Sequence, residues 1–294
     1  MSNEKNDSDS ALLRRATEAL EKIAFGTVKG NERDESPSPI HAYSWQPEIA
    51  KLKPLAQVNR LPLKLLLGID RPKNLLLENT RRFATGLPAN NALLWGARGM
   101  GKSSLVKSLH EHLTTLKTSK VLELIEISRT DISSLGELND QLAKRNSQCL
   151  IYCDDLSFDY DDGAYKSLKT VLDGGLAGRP SNVLFYATSN RRHLMPREMM
   201  DNEAGSAINP GEAVEEKLSL SDRFGLWLGF HKCDQQTYLD MINAYCEYFG
   251  LELPFENWRS DALEWQVTRG ARSGRVAFQF FQDLAGEHNL RIGF

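Results

Sequence analysis

The sequence predicts an α/β domain built on a parallel sheet of five strands, followed by a small region made only of helices. Five short and nearly continuous apolar runs recur along the chain, with helical patterns between them. Strands that are apolar on both faces are typical of a parallel sheet covered by helices. A glycine-rich loop follows the first run and opens a helix, and the pattern after residue 231 is helical only.

The five apolar runs have the length and polar boundaries of buried strands. The predicted strands are Asn91–Trp95, Val121–Ile127, Cys149–Cys153, Val183–Ala187 and Leu226–Phe230. The predicted helices of the C-terminal region are Asp234–Tyr248, Phe255–Thr268 and Ser273–Ala285. We expect these three helices to form a small lid beside the sheet.

The residues before the sheet have a different texture. Apolar residues at helical spacing predict an amphipathic helix over Ala11–Ala24, and a polar, proline-bearing stretch follows it. We therefore predict three regions: residues 1–60 as a helix and linker arm, 61–232 as the α/β domain, and 233–294 as the helical lid.

The bulk composition is that of an ordinary globular protein. The 294 residues are 41% hydrophobic and 26% charged, and the net charge of −3 excludes a strong overall attraction to nucleic acid or anionic membrane. The four cysteines show neither a paired framework nor metal-ligand spacing, which favours reduced thiols. Since no secretory leader and no membrane-length apolar run occurs, we expect a cytoplasmic protein with no membrane partner.

The motif with the most specific chemistry lies between the first strand and its helix. Residues 96–103 read GARGMGKS, the glycine-rich pattern whose backbone N–H groups surround a triphosphate. Lys102 is expected to reach the β- and γ-phosphates of ATP, and Ser103 to bind Mg²⁺. The residues predicted to contact nucleotide here are Gly96, Ala97, Arg98, Gly99, Met100, Gly101, Lys102, Ser103 and Ser104.

Two carboxylates follow the third predicted strand directly, at Asp154 and Asp155. Phosphoryl transfer needs an acid on the metal side and a group that orients the attacking water. We predict Asp154 as the residue on the metal side, with Ser103, and Asp155 as the residue that orients or deprotonates water. The alternative for Asp155 is a second solvated acid.

With these motifs in place, the sequence resembles the AAA+ ATPases, and more narrowly the family called domain of unknown function 815. The resemblance spans residues 61–294 and depends on NNALLWGARGMGKSSLVK, IYCDDLSF, NVLFYATSNRRHL and GEAVEEKLSLSDRFGLWLGF. It implies an AAA+ core with the five parallel strands in the order 5-1-4-3-2 and a C-terminal α-helical lid. It also implies ATP and Mg²⁺ as ligands.

The resemblance implies four further functional residues. Asn190 in ATSN matches sensor 1, which contacts the γ-phosphate and positions water. Arg223 in SDRF matches the arginine finger that acts in trans on a neighbour's site in a homo-oligomer; the alternative is a surface arginine paired with Asp222 or Glu216. Arg275 matches sensor 2 of the lid, with Arg272 as a rival, and Ile69 matches the segment beside adenine.

Two features of the sequence bear on the kind of AAA+ protein. Most members carry Glu where Asp155 stands, so the shorter acid predicts slow hydrolysis, because small displacements of catalytic groups are costly. An Asp pair and a segment similar to SDRFGLWL occur in bacterial replication initiators. Since the sequence ends at the predicted lid, without a DNA-reading helix-turn-helix, we do not expect the initiator function itself.

Three functions are compatible with these observations. The first is an AAA+ ATPase that couples ATP binding and hydrolysis to oligomer assembly or to remodelling of an unidentified protein or nucleic-acid partner. The second is a slowly hydrolysing switch or loader, related to helicase loaders and initiators, that acts through binding. A small-molecule kinase is the third, and it would leave the matches at Asn190, Arg223 and Arg275 unexplained.

Overall fold

One sheet of seven strands forms the centre of the part of the chain that this computed structural model describes, namely residues 41–115, 120–158, 163–174, 178–192, 194 and 223–292. The strand order is β2-β1-β4-β5-β6-β3-β7. The strands are β1 (Ala42–Gln46), β2 (Lys51–Pro54), β3 (Ala92–Gly96), β4 (Leu122–Ile127), β5 (Gln148–Cys153), β6 (Val183–Ser189) and β7 (Leu226–Phe230). The helix predicted at Ala11–Ala24 and the whole segment 195–221 lie outside the described residues.

The five predicted strands are confirmed, but the predicted sheet of five is wrong in its strand count. Strands β3 to β7 run parallel and lie in the predicted relative order, with β3 between β6 and β7. Strand β1 pairs parallel with β4, and β2 pairs antiparallel with β1. The sheet therefore continues for two strands beyond β4, using residues that the sequence analysis assigned to the N-terminal arm.

These two strands lack the apolar pattern of the central ones. Strand β2 lies at the edge and exposes Lys51, Lys53 and Pro54, as edge strands commonly do. Strand β1 is held by Trp45, which is buried and donates its Nε1–H to Ser134 Oγ at 2.8 Å. Strand β1 is therefore stabilised by the buried side chain of Trp45 and by its pairing with β4. It lacks the continuous apolar run from which the other strands were predicted.

The helices cover both faces of the sheet. They are α1 (Asp70–Ala84), α2 (Lys102–Thr115), α3 (Leu135–Ala143), α4 (Gly163–Asp173), α5 (Gln235–Phe249), α6 (Phe255–Thr268) and α7 (Gly274–Glu287). Alternate residues of the strands enter opposite cores: Leu150 and Tyr152 pack on the side of α1 and α2, whereas Ile151 and Cys153 pack on the side of α3 and α4. Burial on both faces explains the nearly continuous apolar runs.

The three C-terminal helices form where the sequence predicts them. Asp234 caps α5 by accepting from Thr237 N at 2.8 Å, and Ser273 caps α7 by accepting from Val276 N. Aromatic side chains join the helices, with Phe249 stacked on Phe281 at 5.2 Å between ring centroids. Since their buried side chains belong to the same core as α1 and α2, these helices lie against the sheet domain. Their action as a lid stays a prediction.

The described residues show two further features, one concerning membrane spans and one concerning the cysteines. No described helix combines the length and the apolar composition needed to cross a membrane. All four cysteines are free thiols, in agreement with the sequence analysis, and burial raises the pKa of Cys149 to about 11 and that of Cys153 to about 12.

His110 predicts a pH-dependent stability. The ring is 2% exposed on α2, its Nε2–H donates to the carbonyl of Leu122 at 3.0 Å, and burial lowers its pKa from 6.5 to about 4. Between these two pH values the unfolded chain binds this proton and the folded chain does not. We therefore expect the free energy of unfolding to fall by roughly 3 kcal/mol as the pH falls through this range.

Denaturant unfolding at a series of pH values measures this effect. The variant His110→Gln should remove that part of the pH dependence, whereas His288→Gln, at an exposed histidine after α7, should leave it as in the wild type. An unchanged pH slope in His110→Gln would contradict the assignment.

Candidate nucleotide-binding site

The glycine-rich loop between β3 and α2 is held against the end of β7. Gly96 has a φ of +125°, and a side chain there would collide with the carbonyl of Phe230. The N–H of Ala97 donates to that same carbonyl at 2.8 Å. Gly99 and Gly101 also have positive φ, a conformation that glycine adopts without strain. The glycines are therefore required by the backbone path of the loop.

Lys102 begins α2 and turns back toward the loop. The side chain is 7% exposed, and Nζ donates to Gly96 O at 2.9 Å, to Ala97 O at 2.8 Å and to Asn190 Oδ1 at 3.1 Å. Burial lowers the pKa of Lys102, while the nearby carboxylates Asp154 and Asp155 oppose the shift. Phosphate oxygens are acceptors of the same kind as those this ammonium group contacts.

Ser103 and Asp154 meet although they are 51 residues apart. Ser103 Oγ donates to Asp154 Oδ1 at 2.7 Å. Burial alone would raise the pKa of Asp154, but hydrogen bonds from Thr188 and Ser103 outweigh it and hold the pKa below its usual range. Asp154 is therefore a charged carboxylate beside a serine hydroxyl.

Asp155 and Asn190 form the next contact. Asn190 Nδ2 donates to Asp155 Oδ1 at 2.6 Å, while Asn190 Oδ1 accepts from Lys102. Asp155 has a φ of +50°, the left-handed region that Asp tolerates better than most residues. An ordered chain of hydrogen bonds thus connects the lysine, the amide and the second acid.

These groups line one end of a cavity of about 540 Å³. Its polar end carries the side chains of Lys102, Ser103, Asp154, Asp155, Thr188 and Asn190. The apolar part of the lining is formed by Leu65, Leu66, Ile69, Met241, Tyr245 and Phe278. Arg98, Gly99, Met100, Gly101 and Ser104 also line the cavity, whereas Gly96 and Ala97 contribute through their carbonyls to Lys102. The volume suits a ligand of nucleotide size.

The N-terminus of α7 lies against the glycine-rich loop. Arg275 N donates to Gly99 O at 3.0 Å, and the Arg275 side chain lines the cavity. Its rival Arg272 donates Nε–H to Gln266 Oε1 at 2.8 Å and does not line the cavity. Of the two arginines considered for sensor 2, the structure therefore places Arg275 at the cavity.

Arg223 lies apart from these groups. Its Nε donates to Asp173 Oδ1 at 2.6 Å, at the end of α4, and it does not line the cavity of its own chain. Asp222 and Glu216, the partners suggested by the sequence, both lie outside the described residues. The structure thus shows an ion pair with an acid that the sequence analysis did not consider.

Thr188 was missed by the sequence analysis. It lies on β6 two residues before Asn190, which directly follows the strand, and both residues line the cavity. The hydroxyl contacts both acids, donating to Asp154 Oδ1 at 2.5 Å and accepting from Asp155 N at 2.9 Å. The sequence did contain a signal for Thr188: it is a polar residue near the end of an apolar strand, two positions before Asn190.

Mg²⁺ fits the oxygen atoms of this site. Within the described ranges there is no cluster of three or more His, Cys, Asp or Glu side chains that could enclose a metal ion. Mg²⁺ instead favours sites in which one or two protein oxygens are joined by water and phosphate. Ser103 Oγ and Asp154 supply such a pair at the polar end of the cavity.

The chain is similar to several solved structures. The ORC1 protein of Aeropyrum pernix, in complex with DNA, matches with a TM-score of 0.51 and 14% identity, over 77% of this chain and 65% of that chain. A variant of Thermotoga maritima RuvB gives 0.48 and 14%, over 80% and 70%. The Thermotoga maritima RuvB Holliday junction branch migration motor gives 0.39 and 12%, over 74% and 68%. At these identities the likeness concerns the fold alone, and of these three matches the ORC1 protein alone has a TM-score above 0.5.

The chain belongs to the family described as protein of unknown function DUF815, whose model matches residues 38–288. This confirms the family resemblance seen in the sequence. No curated protein matches the chain.

Proposed function

We propose that this protein is an ATPase that couples ATP binding and hydrolysis to oligomer assembly or to remodelling of a macromolecular partner. The observation that carries the proposal is the meeting of Lys102, Asp154 and Asn190 at the lining of a cavity that also has apolar walls. Phosphates and a metal ion suit the charged part of the lining, and a planar base suits the apolar part.

The phosphate side depends on the glycine-rich loop and Lys102. Backbone N–H groups at the start of α2 carry partial positive charge, which favours a bound anion. The Lys102 ammonium lies in a buried setting, where its attraction for phosphate is stronger than in bulk water. Arg98 and Arg275 add positive charge along the same cavity.

On the hydrolytic side, Ser103 and Asp154 are the residues that would hold Mg²⁺ at the polar end of the cavity. Bound there, the ion would neutralise charge on the phosphate oxygens. Asp155 would accept a hydrogen bond from the attacking water and orient it, and Asn190 would hold Asp155 through its 2.6 Å hydrogen bond. Asn190 also contacts Lys102, so the water-orienting acid and the phosphate-binding lysine share one partner.

Arg223 is proposed to act in a homo-oligomer. An arginine that reaches the phosphates of a neighbouring site stabilises the charge that develops during phosphoryl transfer. Because Arg223 does not line the cavity of its own chain, this role requires a head-to-tail contact between subunits. The pair with Asp173 would hold the side chain in place before assembly.

A second candidate is a nucleotide-dependent switch or loader that hydrolyses ATP slowly. Asp155 favours it, because this acid is one carbon shorter than glutamate and its Oδ1 already accepts from Asn190. A shorter side chain in a left-handed backbone has little freedom to approach a water molecule. In this case the ATP-bound state itself would recruit the partner.

ATP turnover and ATP retention by the purified protein test the proposal. Sustained turnover of about one per second supports the ATPase, since such a rate lies within the ordinary range of enzymes. Stoichiometric retention of ATP with negligible turnover supports the switch. Failure to bind ATP with Mg²⁺ would overturn both.

The variant Asp155→Asn keeps the size of the side chain and removes its charge. We expect it to bind ATP as the wild type does and to lose most of its turnover, while Asp261→Asn, at an exposed acid on α6, changes neither. The stalled variant is also the bait for the partner. A protein or nucleic acid retained by Asp155→Asn with ATP, and absent with Lys102→Ala, would be bound in a nucleotide-dependent manner.

A further inference from the structure

We propose that Thr188 is the positioning residue of this site, and that its hydroxyl orients Asp154 and Asp155 together. This inference rests on the proposed function, because it concerns the acids assigned to Mg²⁺ and to water. Thr188 is 1% exposed, lies on β6 and lines the cavity.

Thr188 contacts three consecutive residues that follow β5. Its Oγ1 donates to Asp154 Oδ1 at 2.5 Å and accepts from Asp155 N at 2.9 Å. Its backbone carbonyl accepts from Leu156 N at 2.7 Å. One residue thus holds the whole segment that carries both acids.

The contact with Asp154 sets the direction of the carboxylate. Thr188 and Ser103 both donate to Oδ1, at 2.5 and 2.7 Å. These two hydrogen bonds to Oδ1 fix the plane of the Asp154 carboxylate and thereby the position of its other oxygen, Oδ2. Residues that orient a metal-binding group in this way commonly affect metal affinity by about 10- to 100-fold.

The contact with Asp155 sets its backbone. Asp155 has a φ of +50°, which for a residue other than glycine needs support from its surroundings. The bonds from Asp155 N and Leu156 N to Thr188 lie on either side of this residue and supply that support. In this conformation the Asp155 side chain reaches Asn190 at 2.6 Å.

A purely structural role for Thr188 makes a different prediction. Loss of a buried hydroxyl would then lower stability and leave the Mg²⁺ dependence of nucleotide binding unchanged. Thr80 offers a matched control, because it is fully buried, donates to Leu76 O at 2.7 Å and contacts Tyr186 Oη at 2.9 Å, and does not line the cavity.

The experiment titrates the fluorescent nucleotide mant-ADP against wild type, Thr188→Val, Thr188→Ser and Thr80→Val, in EDTA and over a range of Mg²⁺ concentrations. In EDTA we expect Thr188→Val to bind mant-ADP as the wild type does. The Mg²⁺ concentration for half-maximal enhancement of binding should rise about 10- to 100-fold in Thr188→Val. Thr188→Ser, which keeps the hydroxyl, and Thr80→Val should behave as the wild type.

Two results would overturn the inference: a wild-type Mg²⁺ dependence in Thr188→Val, or the same change in Thr80→Val. Thermal unfolding checks that each variant is folded, and Thr188→Cys replaces the valine variant if that one unfolds. Absence of mant-ADP binding or of any Mg²⁺ dependence in the wild type would instead contradict the proposed function, so the two failures are distinguishable.

Discussion

Replacing Lys102 by alanine is expected to abolish measurable ATP binding and, with it, hydrolysis. The ammonium group is buried at the polar end of the cavity and donates to three acceptors there. Without it, the phosphates would lose their buried positive partner beside Asp154 and Asp155, and these two carboxylates would repel them. Equilibrium binding of ATP with Mg²⁺, followed by calorimetry, measures the loss.

The structure predicts that this loss does not come from unfolding. Because burial disfavours the charged form of Lys102, its removal relieves a desolvation cost, and the melting temperature of Lys102→Ala should not fall substantially. Lys144→Ala, at an exposed lysine after α3, is the control that should keep ATP binding. Wild-type affinity in folded Lys102→Ala would exclude the phosphate role of this residue.

Replacing Arg223 by alanine is expected to lower kcat by about a thousandfold or more while sparing ATP affinity. The reason is that an arginine finger contacts the phosphates chiefly in the transition state. Arg223 lies outside the cavity of its own chain, so ATP binding should not need it. Steady-state turnover and equilibrium binding on the same preparation separate the two effects.

Asp173 provides the control for this experiment. Asp173→Ala removes the ion pair seen within the chain but keeps Arg223, so it should retain turnover if the arginine acts on a neighbour. Mixing Lys102→Ala with Arg223→Ala should restore activity, because the first supplies the arginine and the second an intact loop. Equal losses in Asp173→Ala and Arg223→Ala, without recovery on mixing, would point to a structural ion pair instead.

The glycine-rich loop and the central strands were predictable because their requirements are local. Residues 96–103 contain the glycines that allow positive φ and the lysine that follows them. Because all of these residues lie in one short segment, a local pattern reveals them. Strands β3 to β7 were recognisable because burial on both faces demands an apolar residue at almost every position. The relative order of these strands came from the family resemblance.

Strands β1 and β2 were not predictable in this way. An edge strand is buried on part of its surface only, so polar residues such as Lys51 and Lys53 do not prevent it from forming. Its formation depends on pairing with a neighbour, and β1 pairs with β4, about 80 residues later in the chain.

By itself, then, the sequence determined the glycine-rich loop, the five parallel strands and the two acids after β5. Only the tertiary structure decided that Arg275 rather than Arg272 lines the cavity, that Asp173 pairs with Arg223, and that Thr188 holds both acids. The physical reason is distance along the chain: Thr188 and Asp154 are 34 residues apart, and Arg223 and Asp173 are 50 apart. Such contacts arise from the packing of elements, which local patterns of residues do not encode.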